Sequence, residues 1–299
     1  MSVRHYLSLL DLERDEVVAL IALAIKLKRW RRQGFRPPLF SGKTLAMIFE
    51  KSSTRTRVSF EVAMAEGSGS AIFLSTRESQ LGRGEPPEDT ARVLSEMADA
   101  VMIRTFEHDM VERFASVSRV PVINGLTNSL HPCQVLADLM TWFEHRGEIR
   151  GRRVAWVGDG NNMCNSYINA ADLMGFDLRV AVPAGYEPAA ATGTARLTLT
   201  HDPVVAVRDA DLVVTDVWAS MGQEDEAAAR REVFRPFQVN GALMAHAAPD
   251  ALFMHCLPAH RGEEVASEVI DHPDSVVWDE AGNRLHAQKA LLDFLFRSS

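Results

Sequence analysis

One stretch of the 299-residue chain concentrates groups that bind anions: Glu50-Lys51-Ser52-Ser53-Thr54-Arg55-Thr56-Arg57. The apolar run Leu45 to Phe49 ahead of it reads as a buried strand. After it, Val58, Val62 and Ala65 recur at helical spacing until Gly67, which places Ser53 or Thr54 at a helix start. Hydroxyls, unbonded amide donors and guanidinium groups then meet at a helix N-terminus, where phosphate is the best-matched ligand. A single arginine after a capping serine is an ordinary solvated charge. Two hydroxyl-arginine pairs in tandem exceed what a cap requires.

Further candidates follow other apolar runs. Arg104 ends Val101-Met102-Ile103-Arg104, and taken alone it is a surface arginine after a strand. His131 precedes Pro132-Cys133-Gln134, with Pro132 at the first helical position, where its missing amide hydrogen costs nothing; by itself His131 is a cap-region polar residue. Gly158-Asp159-Gly160-Asn161-Asn162 follows a strand as a dinucleotide loop would, but Met163 stands where Gly-x-Gly-x-x-Gly needs its third glycine, so a nicotinamide reading is weak. Asp216 and Cys256 follow two more strands. A lone cysteine there is ordinarily a small buried hydrophobe, and no base is paired with it in the sequence as for a nucleophile.

These residues require strands that end in loops. The β-segments of the first half are Leu45 to Phe49, Ala71 to Leu74, Val101 to Ile103 and Val120 to Ile123; those of the second are Val154 to Val157, Leu178 to Val182, Leu212 to Thr215, Leu252 to Met254 and Val276 to Trp278. Helical patterns lie between several of them, beginning with Asp15 to Arg32, which Gly34 and Pro37-Pro38 terminate. The expected fold is therefore α/β: two parallel-sheet domains with an active-site cleft between them, since ligands of open parallel sheets sit beyond the carboxyl ends of the strands. The boundary is placed in the helix Val135 to Phe143. This gives a first domain of residues 1–134, a second of 135–286, and a C-terminal helix, Ala287 to Phe296, within 287–299.

Composition bounds the function. A 46% hydrophobic and 24% charged chain is that of a soluble globular protein. The net charge of −8 argues against a general nucleic-acid or anionic-membrane surface, so an anionic substrate must be held by locally clustered arginines. Cys133, Cys164 and Cys256 are odd in number and lack Cys-x-x-Cys spacing, which disfavours disulfides or structural zinc and points to a reducing compartment. Val17 to Ile25 is too short to span a bilayer and has the wrong flanks for a signal peptide. The expectation is a cytoplasmic enzyme with no membrane or nucleic-acid partner.

Ser53-Thr54-Arg55-Thr56-Arg57 resembles the carbamoyl-phosphate signature of the aspartate/ornithine carbamoyltransferase family, and the resemblance, to the ornithine branch above all, runs through nearly the whole chain. It implies that carbamoyl phosphate is bound through Ser53, Thr54, Arg55, Thr56, Arg104, His131 and Gln134 of the first domain and through Arg284, with the backbone at Leu257 and the thiol of Cys256 beside the carbamoyl nitrogen. Arg55, Arg104, His131 and Cys256 are the implied catalytic residues. Gln80, in a Gly/Pro-rich loop from Glu78 to Pro87, is implied to enter the site of a neighbouring subunit, hence a trimer. The run Thr215 to Gly222 resembles the family's Asp-x-Trp-x-Ser-Met-Gly, which casts Asn162, Asp216, Ser220 and Met221 as ornithine-binding residues in the second domain.

The implied reaction is carbamoyl transfer from carbamoyl phosphate to the δ-amine of ornithine, in arginine biosynthesis, with no cofactor and no metal. The C-terminal helix is implied to pack back on the first domain. Rival acceptors are aspartate, whose second carboxylate would need basic groups where Asp216 stands, putrescine, which has no α-carboxylate to contact, and N-acetylornithine. A non-catalytic family member is a further alternative, against which the intact Arg55, Arg104, His131, Gln134 and Cys256 speak.

Overall fold

The computed structural model describes residues 3–76, 80–189, 195–220, 222 and 224–298. The chain divides into two compact units, one running to Met140 and resuming at Gly282, the other comprising Thr141–Ala281.

In the first unit the elements are α1 (Arg14–Arg32), β1 (Thr44–Phe49), α2 (Thr54–Glu66), β2 (Ser70–Ser75), α3 (Pro87–Leu94), β3 (Ala100–Arg104), α4 (His108–Val117), β4 (Val122–Leu126) and the first part of α5 (Pro132–Arg146). The four strands are parallel in the order β2-β1-β3-β4. Central β1 and β3 read as continuous apolar runs because both sheet faces are covered. Ala46, Ile48, Val101, Ile103 and Val122 form a core with Ala91 of α3 and Val111 and Phe114 of α4. The direction of winding reverses between β1 and β3. The loops after these two strands therefore flank the crevice where an open parallel sheet binds ligands.

The second unit repeats the plan with β5 (Arg153–Val157), α6 (Asn162–Met174), β6 (Asp177–Ala181), β7 (Leu197–Thr200), α7 (Pro203–Val207), β8 (Leu212–Thr215), α8 (Ala227–Phe234), α9 (Gly241–Met244), β9 (Leu252–His255) and α10 (Ser267–Ile270). Its five parallel strands run β7-β6-β5-β8-β9, so the reversal falls between β5 and β8. The chain ends in α11 (Val277–Arg297), whose first residues belong to the second unit and the rest to the first.

Several expected elements are corrected. Val276 to Trp278 is not a strand: α11 starts at Val277, with Val277 buried and Trp278 62% exposed. Three apolar residues fit either period, whereas Asp279 and Glu280 in the first turn favour a helix start. The final helix accordingly begins well before Ala287. Strand β7 has no counterpart among the expected segments, because its Leu-Thr-Leu-Thr is half exposed at a sheet edge. The strand expected at Val120 starts instead at Val122, after Pro121, which has no amide hydrogen for the ladder. Within the loop from Glu78 to Pro87, residues 78 and 79 lie outside the described residues, and Leu81–Arg83 forms a 3-10 turn.

Candidate active site

At the carboxyl end of β1 the chain enters α2 through Ser53, which has extended backbone and caps the helix by accepting from the Thr56 amide at 3.2 Å. Thr54, the other candidate cap, is the exposed first helical residue. Thr56 is fully buried, and its hydroxyl accepts from Nη2 of Arg284 at 2.7 Å. Arg284 comes from α11, so this contact joins residues 228 positions apart. Arg104 ends β3 at a register shift against β4, and its carbonyl accepts from the Glu50 amide at 2.8 Å.

His131, just before α5, is 4% exposed. Burial pushes its pKa well below the usual imidazole value, and the charges of Arg284, Arg104 and Arg55 push it further the same way. The ring is therefore neutral at physiological pH, with one N–H to donate. Three guanidinium groups from α2, β3 and α11 thus act on one neutral imidazole. Arg55 Nε is buried and has no hydrogen-bond partner among the described residues. Gln134 is fully buried on α5, where its amide donates to Asp138 Oδ1 at 2.8 Å. Gln80 is exposed at the start of the 3-10 turn. The assembly supplies what a dianion and a developing oxyanion require: concentrated positive charge and preformed donors.

In the second unit, Gly158 turns out of β5 at φ +133, a conformation that favours glycine. A Cβ on Gly160 would lie 2.4 Å from the backbone of Tyr186 and Pro188. These glycines serve close approach of the chain to itself, which is the physical reason the dinucleotide reading fails. Asn161 caps α6, accepting from the Met163 and Cys164 amides, and donates from Nδ2 to Asp216 Oδ2 at 2.8 Å. Asp216 also accepts from the Val217 amide at 2.8 Å and from the Cys256 thiol at 3.1 Å. Asn162 is the half-buried first residue of α6, and Ser220 is half buried. Met221 lies outside the described residues.

Residues that the sequence did not single out hold this arrangement. Asp159 pairs with Arg230 at 2.5 Å, both nearly buried, while Arg230 Nε also donates to the Trp218 carbonyl. Burial raises the Asp159 pKa to about 6, against the opposing pull of Arg230 and with a smaller push from Asp216. His255 and Glu264 are both fully buried, with Nε2 and Oε1 3.1 Å apart. Because His255 Nδ1 accepts from the Leu257 amide at 2.9 Å, its Nε2 carries the proton and donates to Glu264. That bond holds Leu257 at φ +55, left-handed backbone that a leucine rarely adopts. Asp216, His255 and Cys256 bring possible metal-ligating atoms within 4.8 Å of one another, and each of the three already has a protein partner. Arg230 was hidden because Ala227-Ala228-Ala229-Arg230-Arg231 looks like a solvated helix face. His255, directly before Cys256 in the sequence, was the more visible signal.

Residues 4–144 match the family described as aspartate/ornithine carbamoyltransferase, carbamoyl-P binding domain, and residues 150–295 match its Asp/Orn binding domain. The chain is 62% identical over 298 residues to an ornithine carbamoyltransferase of Methylococcus capsulatus, covering 99% of each. It is 60% identical over 298 residues to the anabolic ornithine carbamoyltransferase of Pseudomonas aeruginosa, covering 99% of this chain and 98% of the relative. The solved ornithine carbamoyltransferase of Pyrococcus furiosus superposes with a TM-score of 0.92 at 54% identity, covering 97% of this chain and 96% of that one. With two parallel sheets, each carrying polar groups at its switch point, and with both family domains matched in order, the chain belongs to the aspartate/ornithine carbamoyltransferase family.

Proposed function

We infer that this protein transfers the carbamoyl group of carbamoyl phosphate to the δ-amine of L-ornithine, forming L-citrulline and phosphate. The observation that carries the reading is the convergence of Arg55, Arg104 and Arg284 on the buried, neutral His131. An acyl phosphate brings a dianion and a carbonyl whose oxygen gains charge on attack, and both match that site. In this reading residues 1–134 and the C-terminal stretch 287–299, with Arg284 and Leu257, serve carbamoyl phosphate, and the rest of residues 135–286 serves ornithine.

Ser53, Thr54, Arg55 and Thr56 hold the phosphate with amides, hydroxyls and a guanidinium. Arg104 bridges phosphate and carbonyl, Arg284 adds a third cation, and the His131 N–H donates to the carbonyl oxygen. Gln134 and the Leu257 carbonyl take the carbamoyl nitrogen. Asp216 pairs with the α-ammonium of ornithine, and Asn162, Ser220 and Met221 complete the amino-acid head site. Cys256 touches the reacting amine, which attacks in its neutral form. The tetrahedral intermediate collapses with loss of phosphate, and the nitrogen gives up its proton. Holding the two substrates in line supplies most of the rate.

The name of the Pseudomonas aeruginosa relative supports a place in arginine synthesis. The cytoplasm fits a chain in which no helix among the described residues is long and apolar enough to cross a membrane. A homotrimer in which Gln80 completes a neighbour's site is supported by the exposure of Gln80 and by edge strand β2, which leaves Ile72 49% and Phe73 37% exposed. The test is citrulline formation with ornithine, aspartate, putrescine and N-acetylornithine offered separately, together with a gel-filtration mass. Preferred turnover of another acceptor would overturn the ornithine assignment, and a monomeric mass with full activity would overturn the shared site.

A further inference from the structure

Glu50 and Lys51 stand at the end of β1, directly before the capping Ser53, and no step of the reaction uses them. Their side chains nevertheless reach two other loops of the same unit. The Glu50 carboxylate accepts from the Thr105 hydroxyl and from the Phe106 amide, the two residues that follow Arg104, while the Glu50 amide donates to the Arg104 carbonyl at 2.8 Å. Lys51 is 5% exposed. Its ammonium donates to Asn128 Oδ1 at 2.6 Å and lies 4.3 Å from the centre of the Phe106 ring. Asn128 in turn donates its amide to the Phe106 carbonyl at 2.8 Å. Beside it, Thr127 exchanges bonds with Leu130, the residue before His131, through Thr127 N to Leu130 O at 2.9 Å and Leu130 N to Thr127 Oγ1 at 3.2 Å.

We propose that Glu50 and Lys51 are positioning residues that clamp the phosphate cradle of Ser53 and Arg55 to Arg104 on one side and to the His131 loop on the other. The reasoning starts from electrostatics. Arg55, Arg104 and Arg284 repel one another and all act on one imidazole, so an empty site favours splaying of the elements that carry them. The clamp opposes that splay with bonds among the loops themselves. Glu50 fixes the residues just after Arg104, Lys51 fixes Asn128, and Phe106 is common to both arms. Preorganisation of this kind is worth most where charge develops, because donors need not reorganise as the reaction proceeds.

The inference rests on the carbamoyl-phosphate reading, so the test is direct binding of carbamoyl phosphate by calorimetry, with citrulline kinetics on the same samples. Lys51→Met and Asn128→Ala are each expected to weaken carbamoyl phosphate by about tenfold to a hundredfold, since small misplacements of a cradle are costly, with KM for ornithine within about twofold. The double variant is expected to be no weaker than the worse single within about threefold, because both changes cut one connection. Additive losses, or an unaltered Asn128→Ala beside a weakened Lys51→Met, would mean that Lys51 meets the ligand itself and would overturn the clamp. Should Lys51→Met fail to fold, the Glu50 arm is read alone: Thr105→Val loses affinity and Thr105→Ser retains it, whereas equal affinities overturn the proposal. If the unaltered protein fails to bind carbamoyl phosphate, the functional reading falls and the clamp with it.

Discussion

In the first unit the charges of Arg55, Arg104 and Arg284 act on a neutral imidazole; at the switch point of the second sheet stand two carboxylates, Asp159 and Asp216, each held by protein donors. The first site concentrates charge of one sign about a buried ring. The second spends its charges internally, Asp159 on Arg230 and Asp216 on Asn161, Val217 and Cys256. One topology thus supports two regimes. A surplus of like charge opposes folding until a ligand neutralises it, whereas a buried paired charge becomes costly when its partner is removed, whether or not a ligand is present.

The largest effects separate these regimes. Arg55→Ala is expected to weaken carbamoyl phosphate by about a hundredfold to a thousandfold, the scale of losing a preorganised donor, while the unliganded protein unfolds at the same temperature or higher because repulsion is relieved. Arg230→Met is the converse: it strands a buried Asp159 and should cost about 3–5 kcal/mol in denaturant unfolding. If Arg55→Ala proved the more destabilising of the two, the distinction between surplus and paired charge would be wrong. Next in size, Asp216→Asn should weaken ornithine by about tenfold to a hundredfold, the worth of hydrogen bonds to a charged group, and leave carbamoyl-phosphate affinity within about twofold. Equal losses for both substrates would break the assignment of one substrate to each unit.

The two sites also differ in how legible they were. The Ser53 to Arg57 stretch could be read because strand, cap and helix adjoin in sequence, and the residues that bind are also those that shape the turn. Arg284 could not be reached that way, since its partner Thr56 lies in a distant element and only the packing of α11 brings them together. The Val276 to Trp278 error has the same root: three apolar residues satisfy both periods, and their partners decide. In the second unit the visible residues were Asp216, within the run Thr215 to Gly222, and Cys256, at the end of a strand. Asp159 was seen only as part of a turn, and Arg230 looked like surface because a charged residue reveals its burial through its partner.

Acidity gives a smaller and sharper comparison. The imidazole of His131, followed by NMR, should titrate below its ordinary value, and Arg104→Gln should raise that midpoint by removing one cation. The linked stabilities then have opposite signs. His131 has a depressed folded pKa, so its contribution is full above the ordinary value of 6.5 and is lost as pH falls through the folded value. Asp159 has a folded pKa raised from 3.8 to about 6, so the folded protein holds the proton more tightly between those values. Its contribution is full below 3.8 and is lost as pH rises through about 6. Denaturant unfolding from pH 4 to 7 should therefore show the unaltered protein losing ground to Asp159→Asn as pH rises, and gaining ground on His131→Gln over the upper part of the same range. Each unit of pKa shift corresponds to about 1.4 kcal/mol, so both slopes are measurable. Slopes of one sign would mean that Asp159, like His131, favours its charge-balanced form through its neighbours, with Arg230 outweighing burial.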